Sequence, residues 1–138
     1  MGHTLHLGNP TVVESSAERT PFAALFEDDG KVAYFYALDT RLGEYPIVDS
    51  VHIYNVSAVL DHPSNELDVH VPCALKIVWS PDQNRVALLL NGRPHAAFDF
   101  VAQRAYCRSN FPTTSSWSSL GHSWDDTAVD FLEPGTSP

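Results

Sequence analysis

Asn91-Gly92, set between the apolar runs of SPDQNRVALLLNGRPHAAFDF (Ser80 to Phe100), constrains this chain more than any other feature. Both residues tolerate positive φ, as the type I′ turn of a two-residue hairpin requires, and that turn's twist matches the strands it joins. Counting outward from it sets Leu90 against Arg93, Leu88 against His95, Val86 against Ala97 and Ala87 against Ala96. Upstream, Cys73, Leu75, Ile77 and Trp79 alternate with Ala74, Lys76 and Val78, so the first four share one face of a strand. With a turn over Ser80 to Asn84, residues 73 to 100 read as a three-stranded meander.

A second hairpin signal, Asp29-Gly30, joins Phe22 to Asp28 with Lys31 to Leu38. It places Phe22, Ala24 and Phe26 on one face with Ala33, Phe35 and Ala37, and Ala23 and Leu25 on the other with Val32, Tyr34 and Tyr36. Both faces are largely apolar, so both call for a cover: a second sheet, a helix or a partner. Thr11 to Glu14 is a short β-branched strand. Ile47 to Val56 is another, with Val48, His52, Tyr54 and Val56 on one face and Asp49, Val51, Ile53 and Asn55 on the other. Ser57 to Pro72 turns polar and reads as a loop. Val101 to Cys107 reads as a short helical turn, and Ser109 to Ser123 as coil. Asp125 to Leu132 reads as one or two helical turns capped by an aspartate.

About seven strands and no long helix make the chain all-β or β-rich α+β. Antiparallel hairpins and a meander form a sandwich or half-open barrel, with a minor C-terminal helix. At 138 residues it is one domain, 1–138, burying about two-thirds of its unfolded surface. Residues 1–10, a mobile or edge-lying lead-in, and 133–138 are its flexible ends. WSPDQNRVALL resembles one step of a β-propeller blade, but no second copy is present.

FEDDGKVAYFYALD (26–39), HIYNV (52–56) and WSPDQNRVALLLNGRPHAAFDF (79–100) together resemble a bacterial family known as domain of unknown function 2251. The likeness runs from the first hairpin to about Trp124. It implies a small bacterial β-rich protein of unassigned activity and carries over no catalytic residue.

Eight Lys and Arg stand against seventeen Asp and Glu, a net charge of -9 that repels phosphate backbones and anionic membranes. Nucleic acid and membrane are therefore not the expected partners. With no basic apolar leader in MGHTLHLGNP, a soluble cytoplasmic protein is expected, in which Cys73 and Cys107 stay reduced. No Gly-rich phosphate loop is present, and no cofactor is expected.

His52, His95 and His122, with Asp99 and Asp125 or Asp126, are the candidate metal ligands, but no HExxH, CxxC or His-x-His spacing supports them, so no metal is assigned. His95 and Asp99 share a strand face yet lie about 13 Å apart at Cα, too far to touch. Ser115, Ser116, Ser118 and Ser119 lie in no nucleophile motif and read as loop composition. Tyr34, Tyr36 and Tyr54, with Trp117 and Trp124, could form an aromatic surface of the kind that anchors interfaces. Beside it stand His95, Asp125 and Asp126.

The preferred reading is a non-catalytic protein-binding or inhibitor/immunity-type module. Its acidic runs, Asp39 to Asp68 and Asp125 to Glu133, would steer a basic protein partner. The alternative is a small hydrolase or metal-dependent enzyme centred on His95, His52 and the His122 to Asp126 segment. The oligomeric state, a homodimer included, is open.

Overall fold

A computed structural model describes residues 2–64 and 67–132. The frayed end expected at 133–138 lies outside them, as do Glu66 and Glu133 of the acidic runs. In order come β1 (His3–Leu5), β2 (Thr11–Ser16), β3 (Phe22–Asp28), β4 (Val32–Asp39), β5 (Ile47–Asn55), α1 (Val56–Asp61), β6 (Cys73–Trp79), β7 (Arg85–Leu90), β8 (Arg93–Asp99) and β9 (Arg104–Cys107). Short 3-10 turns occupy Thr40–Leu42 and Asp126–Val129. The strands pair antiparallel in two sheets, β2-β3-β4-β5 and β1-β6-β7-β8-β9, which pack as an open sandwich.

The meander stands as β6-β7-β8, and Asn91 (φ 51°) and Gly92 (φ 81°) make its turn. Leu90 faces Arg93 as expected, but Leu88 then faces Ala96, Ala87 faces Ala97 and Val86 faces Phe98. The expected pairs Leu88 with His95, Ala87 with Ala96 and Val86 with Ala97 are therefore corrected by one residue. A bulge at His95 makes the difference. Pro94 has no N–H to give the ladder of an interior strand, and bulges are where sheets accommodate proline.

The first hairpin turns one residue later than Asp29-Gly30 implied. Gly30, at φ 98°, occupies the turn with Lys31, while Asp29 Oδ1 accepts from the Lys31 and Val32 amides at 2.9 Å each. Phe26 consequently faces Phe35. Each pairing slides by two positions, so the two faces keep their expected members. In β5 the outcome differs, because bulges at Val48 and Ile53 reverse the alternation. Tyr54 lies opposite Ala33 and points inward, away from the face of His52.

Other expectations give way to packing. The polar loop after β5 begins with α1, the helical turn expected before Cys107 is β9, and the lead-in is edge-lying through β1, which buries Leu5. At the C-terminal segment Asp125 caps as read, accepting from the Thr127 amide, but only one 3-10 turn follows.

Between the sheets Phe35 stacks on Phe98 at 5.0 Å and Phe22 on Phe100 at 4.3 Å. A smaller cluster lies on the outer side of the five-stranded sheet. There Ala87, Leu89 and Ala97, with Val78 and Tyr106, are covered by Ala128, Val129, Phe131 and Leu132. The centre of that sheet, β7 and β8, is thus buried on both sides. The outer side of the four-stranded sheet is partly buried, from Leu38 at 8% exposure to Val12 at 60%.

Candidate functional site

By register, the outward positions of the four-stranded sheet are Val12, Glu14 and Ser16 of β2, Ala23, Leu25 and Glu27 of β3, Val32, Tyr34, Tyr36 and Leu38 of β4, and Ile47, Ser50, His52 and Asn55 of β5. Alternation puts them there, since Phe26, Phe35 and Val51 take the opposite side of the same strands and are fully buried. Val12 is 60% and Ile47 56% exposed, and Phe111, 55% exposed, borders the same face.

Two depressions mark this face. One, of about 280 Å³, lies among Val12, Leu25, Glu27, Tyr36, Leu38 and Ile47. The other, of about 320 Å³, lies among Val32, Tyr34, His52, Asn55, Ser109 and Phe111. The Tyr34 and Tyr36 rings lie 6.2 Å apart and near parallel, and His52 meets Tyr34 edge-on at 5.6 Å. His52 Nε2 lies 2.9 Å from Asn55 Oδ1, and the hydroxyl of Ser109 donates to the His52 carbonyl at 2.7 Å. Burial first, and then the neighbouring Glu27 carboxylate, push the Tyr36 hydroxyl above the ordinary tyrosine range. Tyr36 therefore stays a proton donor at neutral pH.

The remaining sequence candidates lie elsewhere. Tyr54 is 4% exposed, and its hydroxyl donates to Asp28 at 2.6 Å. Asp28 also accepts from the Gly8 and Gly30 amides at 2.8 Å each, tying the lead-in and the first turn to β5. Burial, followed by the bond to Asp28, pushes the Tyr54 hydroxyl well above its ordinary range. Its expected place in an aromatic surface is corrected: it is a buried strut. Trp117 packs edge-on against Phe98 and Phe100 at the rim of the core, apart from the tyrosines.

Trp124 and Asp126 line a cleft of about 470 Å³ with Arg93, Arg108, Asp130 and Leu132. The Arg108 guanidinium lies 4.3 Å over the Trp124 ring and donates to the Pro94 carbonyl at 2.6 Å, while the Trp124 indole donates to Asp126 at 2.8 Å. Asp130 pairs with Arg85 at 2.8 Å, and Asp125 serves as the cap. His95 is buried in its bulge. The described C-terminal acids, Asp125, Asp126 and Asp130, are thus engaged locally.

The acidic run before Asp68 is altered too. Asp39 pairs with Arg41 at 2.7 Å, and Asp49 is buried against His122. His122 Nδ1 lies 2.5 Å from the Pro112 carbonyl, and Nε2 lies 2.9 Å from Asp49 and 3.4 Å from the Ser115 hydroxyl. A carbonyl only accepts, so Nδ1 is the donor in that bond. A hydrolytic relay places serine and aspartate on opposite imidazole nitrogens. Here they meet the same one. With His122 at 0% exposure, the group pins the 112–122 loop to β5.

The alternative centre was expected on His52, His95 and the His122 to Asp126 segment. Those histidines occupy the sheet face, the bulge and the buried loop, and among the described residues no three His, Cys, Asp or Glu side chains gather as a metal ion requires. Glu27 is the site residue that sequence reasoning missed. Its signal was available: an acid alternating with Leu25 on a strand face otherwise tending to apolar.

Among known proteins, residues 5–133 match the family described as "Uncharacterized protein conserved in bacteria (DUF2251)", and the chain belongs to that family. It is 41% identical over 109 residues to an "Uncharacterized protein" of Haemophilus influenzae, an alignment covering 78% of this chain and 63% of the relative. The chain thus spans less than two-thirds of the length of that curated relative. No solved structure matches it. Among the described residues no helix is long and apolar enough to cross a membrane.

Proposed function

We propose that this chain is a non-catalytic protein-binding module, of inhibitor or immunity type, that docks a partner on the tyrosine face of the four-stranded sheet. One observation carries the reading: the chain's own C-terminal turn covers the outer side of one sheet, while on the other Val12 and Ile47 stand exposed beside the half-buried Tyr34 and Tyr36. Contiguous apolar surface of this kind marks interaction sites, and tyrosine is a favoured anchor because it adds hydrogen bonding to a broad apolar body.

The partner we expect is basic. Glu14 and Glu27 are the charged side chains at the outward strand positions, and no Lys or Arg joins them there. The expected compartment is the cytoplasm, where the buried free thiols of Cys73 and Cys107 would stay reduced.

Val12→Asp and Ile47→Asp test the reading, since both sites are more than half exposed and tolerate a charge without unfolding. Each variant should lose capture of a salt-sensitive partner from lysate of the native bacterium, whereas Leu120→Asp, at a 77% exposed site outside the strands of this sheet, should retain it. Equal capture by all three would overturn the assignment of the face.

A further inference from the structure

We propose that the groove beside Tyr36 is a subsite for one long-stemmed cationic side chain, an arginine or lysine of the docked partner; this rests on the docking reading above. Its walls are the aliphatic side chains of Val12, Leu25, Leu38 and Ile47, and its polar groups are Glu27 and the Tyr36 hydroxyl. Aliphatic walls around a single carboxylate complement a side chain that is methylene along its length and charged at its tip.

Three features make the tip a cation. Among the described residues no Lys, Arg or His forms an ion pair with Glu27. The Glu27 carboxylate stands beside the Tyr36 hydroxyl in the same groove, and its oxygens accept only, so they can take an ammonium or a guanidinium fork. Tyr34 lies directly opposite Glu27 in the ladder, with its ring near parallel to that of Tyr36, so a cation at the carboxylate also meets aromatic faces.

The competing occupants fit less well. A neutral apolar side chain would desolvate Glu27 and give it no counter-charge. An anion would be repelled. A second copy docking through the same face would bring glutamates toward glutamates.

The test is a titration of isotopically labelled protein, followed by amide NMR shifts, with four blocked amino acids: Nα-acetyl N-methylamides of arginine, lysine, norleucine and glutamate. The arginine and lysine probes should shift residues 12, 25, 27, 36, 38 and 47 with saturable, salt-sensitive curves. Norleucine should bind at least about fivefold more weakly, a difference of about 1 kcal/mol, and glutamate should not bind. Glu27→Gln should bring the cationic probes down to the norleucine level. Because the arginine-to-norleucine comparison is made on the wild-type chain, it holds whatever that substitution does to folding. Equal binding of norleucine and arginine, or shifts confined to other surfaces, would overturn the cation subsite. If that happens while Val12→Asp still abolishes partner capture, the docking face stands and the subsite alone fails. If the groove selects cations while capture ignores Val12→Asp, the subsite stands without the docking reading.

Discussion

On the outer side of the five-stranded sheet Leu89 is 1% exposed beneath Phe131 and Leu132, while on the outer side of the four-stranded sheet Val12 is 60% and Ile47 56% exposed. The two faces differ in chemistry as well as cover. Ala87 and Ala97 are small and carry no polar side-chain atoms, so a single 3-10 turn can settle directly onto the strands. Tyr34, Tyr36 and Glu27 are wide, half-buried side chains that end in polar atoms, which a covering turn would have to match with polar groups of its own. One face is built to be closed by the chain itself. The other is the face on which we propose that a separate molecule docks.

The largest expected effect is on the covered side. Leu89→Ala should cost about 2–5 kcal/mol, because a buried leucine leaves both lost transfer energy and a cavity. Ile47→Ala should stay within about 0.5 kcal/mol, as exposed substitutions do. Urea unfolding of the two variants measures the contrast, and equal losses would break it.

Next comes the cover. Phe131, half-buried against this cluster with the Arg85 guanidinium 4.9 Å from its ring centre, should cost about 1–2 kcal/mol on truncation to alanine. Amide exchange should then rise in β7 and β8 and stay unchanged in β3 and β4. A rise of the same size in both sheets would mean that the turn holds the whole fold rather than one face.

A subtler effect concerns Tyr36. Removing the Glu27 charge with Glu27→Gln should bring its hydroxyl back toward the ordinary tyrosine range, with burial still holding it somewhat high. Ultraviolet or NMR titration of the tyrosines reads this directly. No change would separate Glu27 from Tyr36 and remove the polar end of the groove.

The smallest effect is on the cap of the covering turn. Hydrogen bonds from the Thr127 amide and hydroxyl hold the Asp125 carboxyl below its usual value of 3.8. Its stabilisation is therefore complete above the unfolded pKa and is lost as pH falls through the lower, folded one. Exchange at residues 126–129 should rise at that acidic end, and Asp125→Asn should flatten the dependence.

Much of this contrast was legible in the sequence because period-two alternation survives errors of turn placement. The first hairpin turns at Gly30-Lys31, yet Phe26 and Phe35 still face in, and Tyr34 and Tyr36 still face out. Bulges are different, since one extra residue reverses every later side chain. Those at Val48 and Ile53 turned Tyr54 inward to Asp28, a partner 26 positions away that no local pattern announces. β1 and β9, at three and four residues, are too short to carry a period of their own. Of the candidate site, the tyrosine pair was visible for the same reason that its face was. The separation of Trp117 and Trp124 from it depended on the path of the loop after β9, which the buried Asp49 to His122 contact fixes across 73 positions.

The most direct test of the docking claim is photo-crosslinking in the native cell. A benzophenone amino acid is placed in turn at positions 12, 47 and 111, which border the tyrosine face, and at 101 and 120, which are 73% and 77% exposed apolar sites away from its strands. The account predicts one dominant adduct, to the same basic protein, from the first three positions and not from the last two. Adducts formed equally from all five, or from 101 and 120 alone, would contradict it.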